Sequence, residues 1–162
     1  MRHDVTPSPA SLSAEEMCAA LTAAATLSGS ELKRAATHLV TSSGLPGRAD
    51  FARHTTLTWA EVPDTGRALT AELDLAALRA DEGVYLTGTD EKLLTLALSY
   101  AKGRPVPLDA YLNGFGHQTA LCVLEAHIIG MGMEGFLSVA AGGPRLDELN
   151  ALHAELGIGG EQ

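Results

Sequence analysis

The chain has 162 residues, 46% of them hydrophobic, and a net charge of −9, which fits one globular domain large enough to bury a core without disulfide or metal cross-links. The negative charge would repel a phosphate backbone, which argues against nucleic-acid binding by the surface as a whole. Glu125, His127 and Glu134 interrupt the longest apolar run, which excludes a membrane span of about 20 apolar residues.

Both ends of the chain are predicted to be flexible. Residues 1–12 lack the continuous apolar core of a secretory signal and read as a leader. Residues 158–162 read as a short tail. We therefore expect one globular domain over residues 13–157.

The N-terminal part of this domain, residues 13–43, predicts two helices joined by a tight turn. Ser13 and Glu16 have the spacing of a capping box at the start of the first helix. Ser28 and Glu31 repeat that spacing, so we expect the second helix to begin there.

Residues 54–75 predict a β-hairpin. The run TTLTWAEV is rich in β-branched and aromatic residues, PDTGR has turn chemistry, and apolar and polar residues alternate after it. A further strand is predicted for GVYLTG, residues 83–88. The sheet is therefore expected to be small and mainly antiparallel.

The C-terminal half, residues 84–157, is predicted to be mostly helical. Thr89 or Asp90 is expected to cap a largely buried helix, and a short helical piece is expected near Asp109 to Leu112. A last helix begins at Pro144 and carries leucines on one face.

Between these elements, GHQTALCVLEAHIIG predicts a central apolar helix that ends at glycines on both sides. Residues 135–141 favour a buried strand, although a helix end has a similar pattern. Together the elements predict an α+β fold with an N-terminal helical pair, a hairpin, and C-terminal helices packed around the central apolar helix.

The central helix and the loop before it contain candidate ligand-binding residues. Asn113, His117, Gln118 and Glu125 would line a pocket at which glycines allow close approach of a ligand. The alternative is structural, with Glu125 at the edge of the core and paired to an arginine or a capping amide.

The histidine spacing does not indicate a metal site. His117 and His127 lack the i, i+4 spacing of a helical metal pair, so a site would need His38, His54 or His153 from elsewhere. We therefore assign no metal and no cofactor, and the absence of a catalytic motif leaves enzymatic activity uncertain and less favoured than a noncatalytic role.

The order helix, turn, helix, hairpin also occurs in winged helix-turn-helix proteins, which read duplex DNA. Residues 30–67 have five basic and four acidic residues, unlike the acidic remainder. Lys33, Arg34 and His38 on the solvent side of the second helix, with Arg67 at the hairpin tip, are the candidate nucleic-acid-binding residues.

The favoured function is a noncatalytic interaction or regulatory protein that binds itself or another protein. The C-terminal half has more apolar helical faces than one small sheet can cover, which predicts a homo-oligomer. Cys18 and Cys122 lie apart in apolar patterns typical of reduced thiols, so we expect a cytoplasmic location and no membrane partner. Abundant alanine and few lysines indicate a bacterial origin. DNA binding and small-ligand binding or catalysis are the alternatives.

Overall fold

The computed structural model describes residues 6–62, 66–107, 111, 113–140 and 144–156. Within these residues a two-stranded antiparallel sheet is flanked by helices, which confirms the predicted α+β class. The elements are α1 (Ala14–Leu27), α2 (Glu31–Thr41), α3 (Ala49–Ala52), β1 (Thr55–Val62), β2 (Gly66–Leu73), α4 (Leu75–Ala80), α5 (Gly88–Lys102), α6 (His117–Gly130) and α7 (Pro144–Leu156).

The predicted helical pair is present as α1 and α2. Ser13 and Glu16 form the expected capping box, which satisfies backbone amides at the start of α1. The second predicted box is wrong, because Ser28 ends α1 and the hydroxyl of Ser30 accepts from the Lys33 amide. Gly29 has a φ of 63°, and this left-handed turn moves the start of α2 two residues beyond the expected cap.

The predicted hairpin is also present. Thr55 pairs with Leu73 and Val62 with Gly66 across an antiparallel ladder. Asp74 then caps α4 by accepting a hydrogen bond from the Ala77 amide. The sequence does not distinguish this short helix from the end of the hairpin.

The strand predicted for residues 83–88 is wrong. Residues 83–87 form turns and irregular backbone, and Gly88 begins α5. β1 and β2 are the two strands of the described chain. A strand needs a neighbour for its backbone groups, whereas the Tyr85 carbonyl here accepts from the Arg48 guanidinium. The start of α5 also differs from the prediction, because Thr87 rather than Thr89 or Asp90 is its N-cap, in a capping box with Asp90.

The core lies where α2 packs against α1, α5 and α6, and where α1 packs against β2. Six consecutive residues of α5, from Leu93 to Leu98, are buried. Phe51, Met17 and Leu39 are among the largest side chains that are fully buried. The N-terminal helices, the hairpin, α5 and the inner face of α6 therefore share one apolar interior.

The C-terminal region contains α6 and α7 close to their predicted positions. The strand expected at residues 135–141 is wrong over 135–140, which are turns and irregular backbone; residue 141 lies outside the described residues. Most of the helical piece expected near Asp109 to Leu112, and the tail at 158–162, also lie outside them. Among the described elements, none packs extensively against α7.

Within the described part of the chain, no helix combines the length and the hydropathy that a membrane span needs.

Candidate functional site

A polar cluster lies between α2 and α6, two helices that pack closely against each other. Nε2 of His38 on α2 is 2.9 Å from Oε2 of Glu125 on α6. The two side chains are 29% and 42% exposed, so the pair lies at the rim of the interface. The partner of Glu125 is therefore a histidine 87 residues away in sequence, not the arginine or capping amide considered above.

Cys122 completes the cluster. It lies three residues before Glu125, and residues at this spacing share a helix face. One potential ligand atom from each of His38, Cys122 and Glu125 lies within 4.8 Å of the other two, and all three residues are partly buried. A thiol, an imidazole and a carboxylate thus converge on one small volume, which the sequence reading did not predict because α2 and α6 are distant in sequence.

The same face of α2 also contacts the chain beyond α6. The Arg34 guanidinium forms an ion pair with the Glu134 carboxylate. A backbone amide and Arg34 lower the pKa of Glu134. Gly132, with a φ of 67°, brings the turn after α6 against the Glu31 side chain. Contacts from α2 therefore hold both α6 and the start of the following segment.

Near its C-terminal end, α6 contacts the Tyr100 side chain of α5. The Tyr100 hydroxyl is hydrogen-bonded to Nδ1 of His127, and burial raises the pKa of Tyr100. A Cβ atom on Gly130 would lie 2.9 Å from Cε1 of Tyr100. A side chain in place of Gly130 would therefore have to displace the tyrosine ring.

The predicted ligand-binding residues do not come together as one pocket. Asn113, His117 and Gln118 are exposed, and the Asn113 carbonyl accepts from the Lys92 ammonium. Glu125 lies eight residues beyond His117 on α6, which is about 12 Å along the helix axis. Glu125 is therefore part of the α2–α6 cluster, apart from the other three candidates.

The predicted nucleic-acid-binding residues lie in three different surroundings. Lys33 lines a cavity, whereas Arg34 and His38 are paired with Glu134 and Glu125 beside α6. The Arg67 guanidinium lies over the Trp59 ring and within 3.5 Å of a Glu61 oxygen on the hairpin. The solvent side of α2 therefore does not present all of its basic residues together, and DNA binding stays a prediction.

The cavity that contains Lys33 has a volume of about 450 Å³ and lies among α1, α2 and β2. Alanine and leucine side chains form much of its wall, and Lys33, Lys102, Glu72 and Asp74 add charges of both signs. These four side chains carry two positive and two negative charges, so together they do not favour a ligand of either sign.

An apolar surface follows α6 directly. Every residue from Met131 to Ser138 is exposed, and we call residues 131–138 the exposed segment. Phe136, at 83% exposure, is the most exposed large hydrophobic side chain of the described chain. Met131, Met133 and Leu137 add further apolar surface. Exposed large apolar side chains that lie close together in the chain are typical of interaction surfaces.

No protein-family model, curated protein or solved structure matches this chain. Two features of the structure bear on function, the α2–α6 cluster and the exposed segment.

Proposed function

We propose that this protein is a noncatalytic interaction protein that assembles with a second copy of itself through its C-terminal region. The observation that carries the proposal is the exposed segment, in which Phe136 and its apolar neighbours project from the protein. The second support is α7, a 13-residue helix with no extensive contact to another described element.

Burial of this surface would provide a substantial driving force. Covering a Phe, Leu or Met side chain contributes about 1.5–3 kcal/mol of apolar transfer free energy. Phe136, Leu137 and Met131 are all largely or half exposed, so an interface that covers all three has several kcal/mol available to offset the entropy of association. The two methionines also suit an adaptable contact surface.

A second copy is the favoured partner because each chain carries both parts of a complementary pair. One copy's α7, with Leu152 half exposed, can cover the exposed segment of the other, and twofold symmetry makes the same contact twice. Cys18 and Cys122 are free thiols, which suits assembly in a reducing compartment such as the bacterial cytoplasm. DNA binding and small-ligand binding are kept as alternative proposals.

Light scattering across a concentration series tests the proposal. We expect the wild-type mass to exceed one chain at micromolar concentration, and Phe136→Ser combined with Leu137→Ser to give a single-chain mass. Tyr85→Ser is the matched control, because Tyr85 is 76% exposed but lies in a different part of the protein. A wild-type protein that stays monomeric throughout the series would rule out self-assembly, and capture of a different protein would support the interaction role alone.

A further inference from the structure

The cluster between α2 and α6 has the chemistry of a transition-metal site. Imidazole nitrogen, thiolate sulfur and carboxylate oxygen are the three protein ligand types of Zn²⁺. A thiolate disfavours Mg²⁺ and Ca²⁺, which take oxygen ligands. We infer that His38, Cys122 and Glu125 form a Zn²⁺-binding site.

The geometry of the cluster needs little adjustment to accept the ion. Bond lengths of about 2.0–2.3 Å in a tetrahedral zinc site place ligand atoms about 3.3–3.6 Å apart. The His38 and Glu125 atoms are now 2.9 Å apart, and no pair in the cluster exceeds 4.8 Å. The His38 and Glu125 atoms must therefore move apart by about 0.5 Å, and a pair of ligand atoms at the 4.8 Å limit must approach by about 1 Å. Side-chain rotation can provide changes of this size.

The backbone already holds the three residues in position. Cys122 and Glu125 are one turn apart on α6, and His38 comes from the helix packed against it. Metal sites in helical bundles use the same i, i+3 spacing of ligands on one helix with further ligands from facing helices. The packing of α2 against α6 thus places the three side chains next to one another.

Charge and solvent access also suit a divalent ion. The thiol of Cys122 loses its proton to solvent on binding, and the ring nitrogen of His38 that binds the ion gives up any proton it holds. One thiolate and one carboxylate then neutralise the two positive charges of Zn²⁺. Arg34, one helical turn before His38 on α2, is paired with Glu134. Because the cluster is only partly buried, a water molecule can occupy the fourth position.

The bound ion would link the N-terminal helical pair to α6. It would not require the exposed segment, whose apolar side chains follow α6 and are not part of the cluster. Zinc binding and self-assembly are therefore separate properties with separate tests.

The experiment uses Co²⁺ as a spectroscopic probe for zinc, added to the 162-residue chain after chelation and reduction. We expect one equivalent to bind with a thiolate-to-cobalt charge-transfer band, and Zn²⁺ to displace it. Cys122→Ser should abolish the band, and His38→Gln and Glu125→Gln should each weaken binding at least about tenfold. Cys18→Ser and His117→Gln are matched controls outside the cluster and should bind like the wild type.

A second measurement covers the case in which a variant fails to fold. In the wild-type protein, Zn²⁺ should slow alkylation of Cys122 and leave alkylation of Cys18 unchanged. Absence of the charge-transfer band in the wild type, a band that persists in Cys122→Ser, or equal protection of both cysteines would overturn the zinc assignment. A monomeric protein that still binds zinc would overturn only the proposed self-assembly.

Discussion

The two halves of the described chain differ in how they use their apolar residues. In the N-terminal region, residues 6–102, the large side chains of Phe51, Leu39 and Leu94 are fully buried. In the C-terminal region, residues 113–156, α6 buries only Val123 and Ala126. The segment that follows it is exposed throughout residues 131–138.

This difference separates side chains that stabilise the fold from side chains available for binding. The N-terminal region supplies most of the apolar interior, through α1, α2, the hairpin and α5, and α6 adds Val123 and Ala126 to it. The C-terminal region is attached to it through the α2–α6 interface and keeps apolar surface outside. Substitutions in the two regions should therefore change different observables.

The largest contrast is expected between two phenylalanines. Phe51→Ala should lower the free energy of unfolding by about 3–5 kcal/mol, because it leaves a cavity where the side chain is fully buried. Phe136→Ala should change it by less than about 0.5 kcal/mol in the monomer and should weaken self-association. Denaturant unfolding at low protein concentration, with light scattering alongside, measures both effects. Equal destabilisation by the two substitutions would contradict the division into two regions.

A smaller effect is expected at the contact that joins the regions. Gly130→Ala places a methyl group 2.9 Å from the Tyr100 ring, and overpacking of this kind costs about 1–3 kcal/mol. The better helix propensity of alanine offsets up to about 1 kcal/mol of that cost. Gly135→Ala is the control, because a Cβ there meets nothing within 4 Å. Thermal unfolding of both variants gives the comparison, and an unchanged midpoint for Gly130→Ala would show that the ring moves freely.

The sequence predicts the fold best where a helix start or a turn is determined by residues that are close together in the chain. The Ser13–Glu16 capping box, the alternation in the hairpin and the start of the last helix at Pro144 each depend on residues close together in the chain. The strand predicted at residues 83–88 and the one favoured at 135–141 are wrong over the described residues, 83–88 and 135–140. A strand is stabilised by a partner strand, and a single run of sequence does not reveal whether one is available. Leu137 and its neighbours have the composition of a buried strand but are exposed.

The candidate site was predicted only in fragments for a related reason. The place of Glu125 in an apolar helix is unusual enough to indicate a role, and His38 is one of the histidines that a metal site would need. Their contact depends on the packing of α2 against α6, which helical periodicity does not specify. The apolar neighbours of Cys122 in the sequence are typical of a reduced thiol and do not indicate a ligand.

An electrostatic effect of about 0.5–1 kcal/mol is expected within the N-terminal region. A hydrogen-bonded ion pair with Arg48 lowers the pKa of Asp50 in the folded protein. A lowered folded pKa stabilises the protein above the unfolded value, and this contribution is lost as the pH falls from about 5 through the lowered pKa. Asp50→Asn should therefore be less stable than the wild type at pH 7, and the difference should shrink in acid. Asp147→Asn, on exposed α7, is the control, and a pH-independent difference for Asp50→Asn would contradict the mechanism.

The smallest expected effect concerns DNA. Because Arg34 and His38 face acidic partners beside α6, the helical pair offers few phosphate contacts. We therefore expect no retardation of mixed genomic DNA fragments in a mobility-shift assay at moderate salt. The informative variant is Lys33→Glu with Arg67→Glu, matched by Arg79→Glu on α4. Salt-sensitive retardation that is lost in the double variant and kept in the control would make the N-terminal region a DNA-binding surface. The two regions would then differ in what they bind, with DNA at the N-terminal surface and protein at the C-terminal surface.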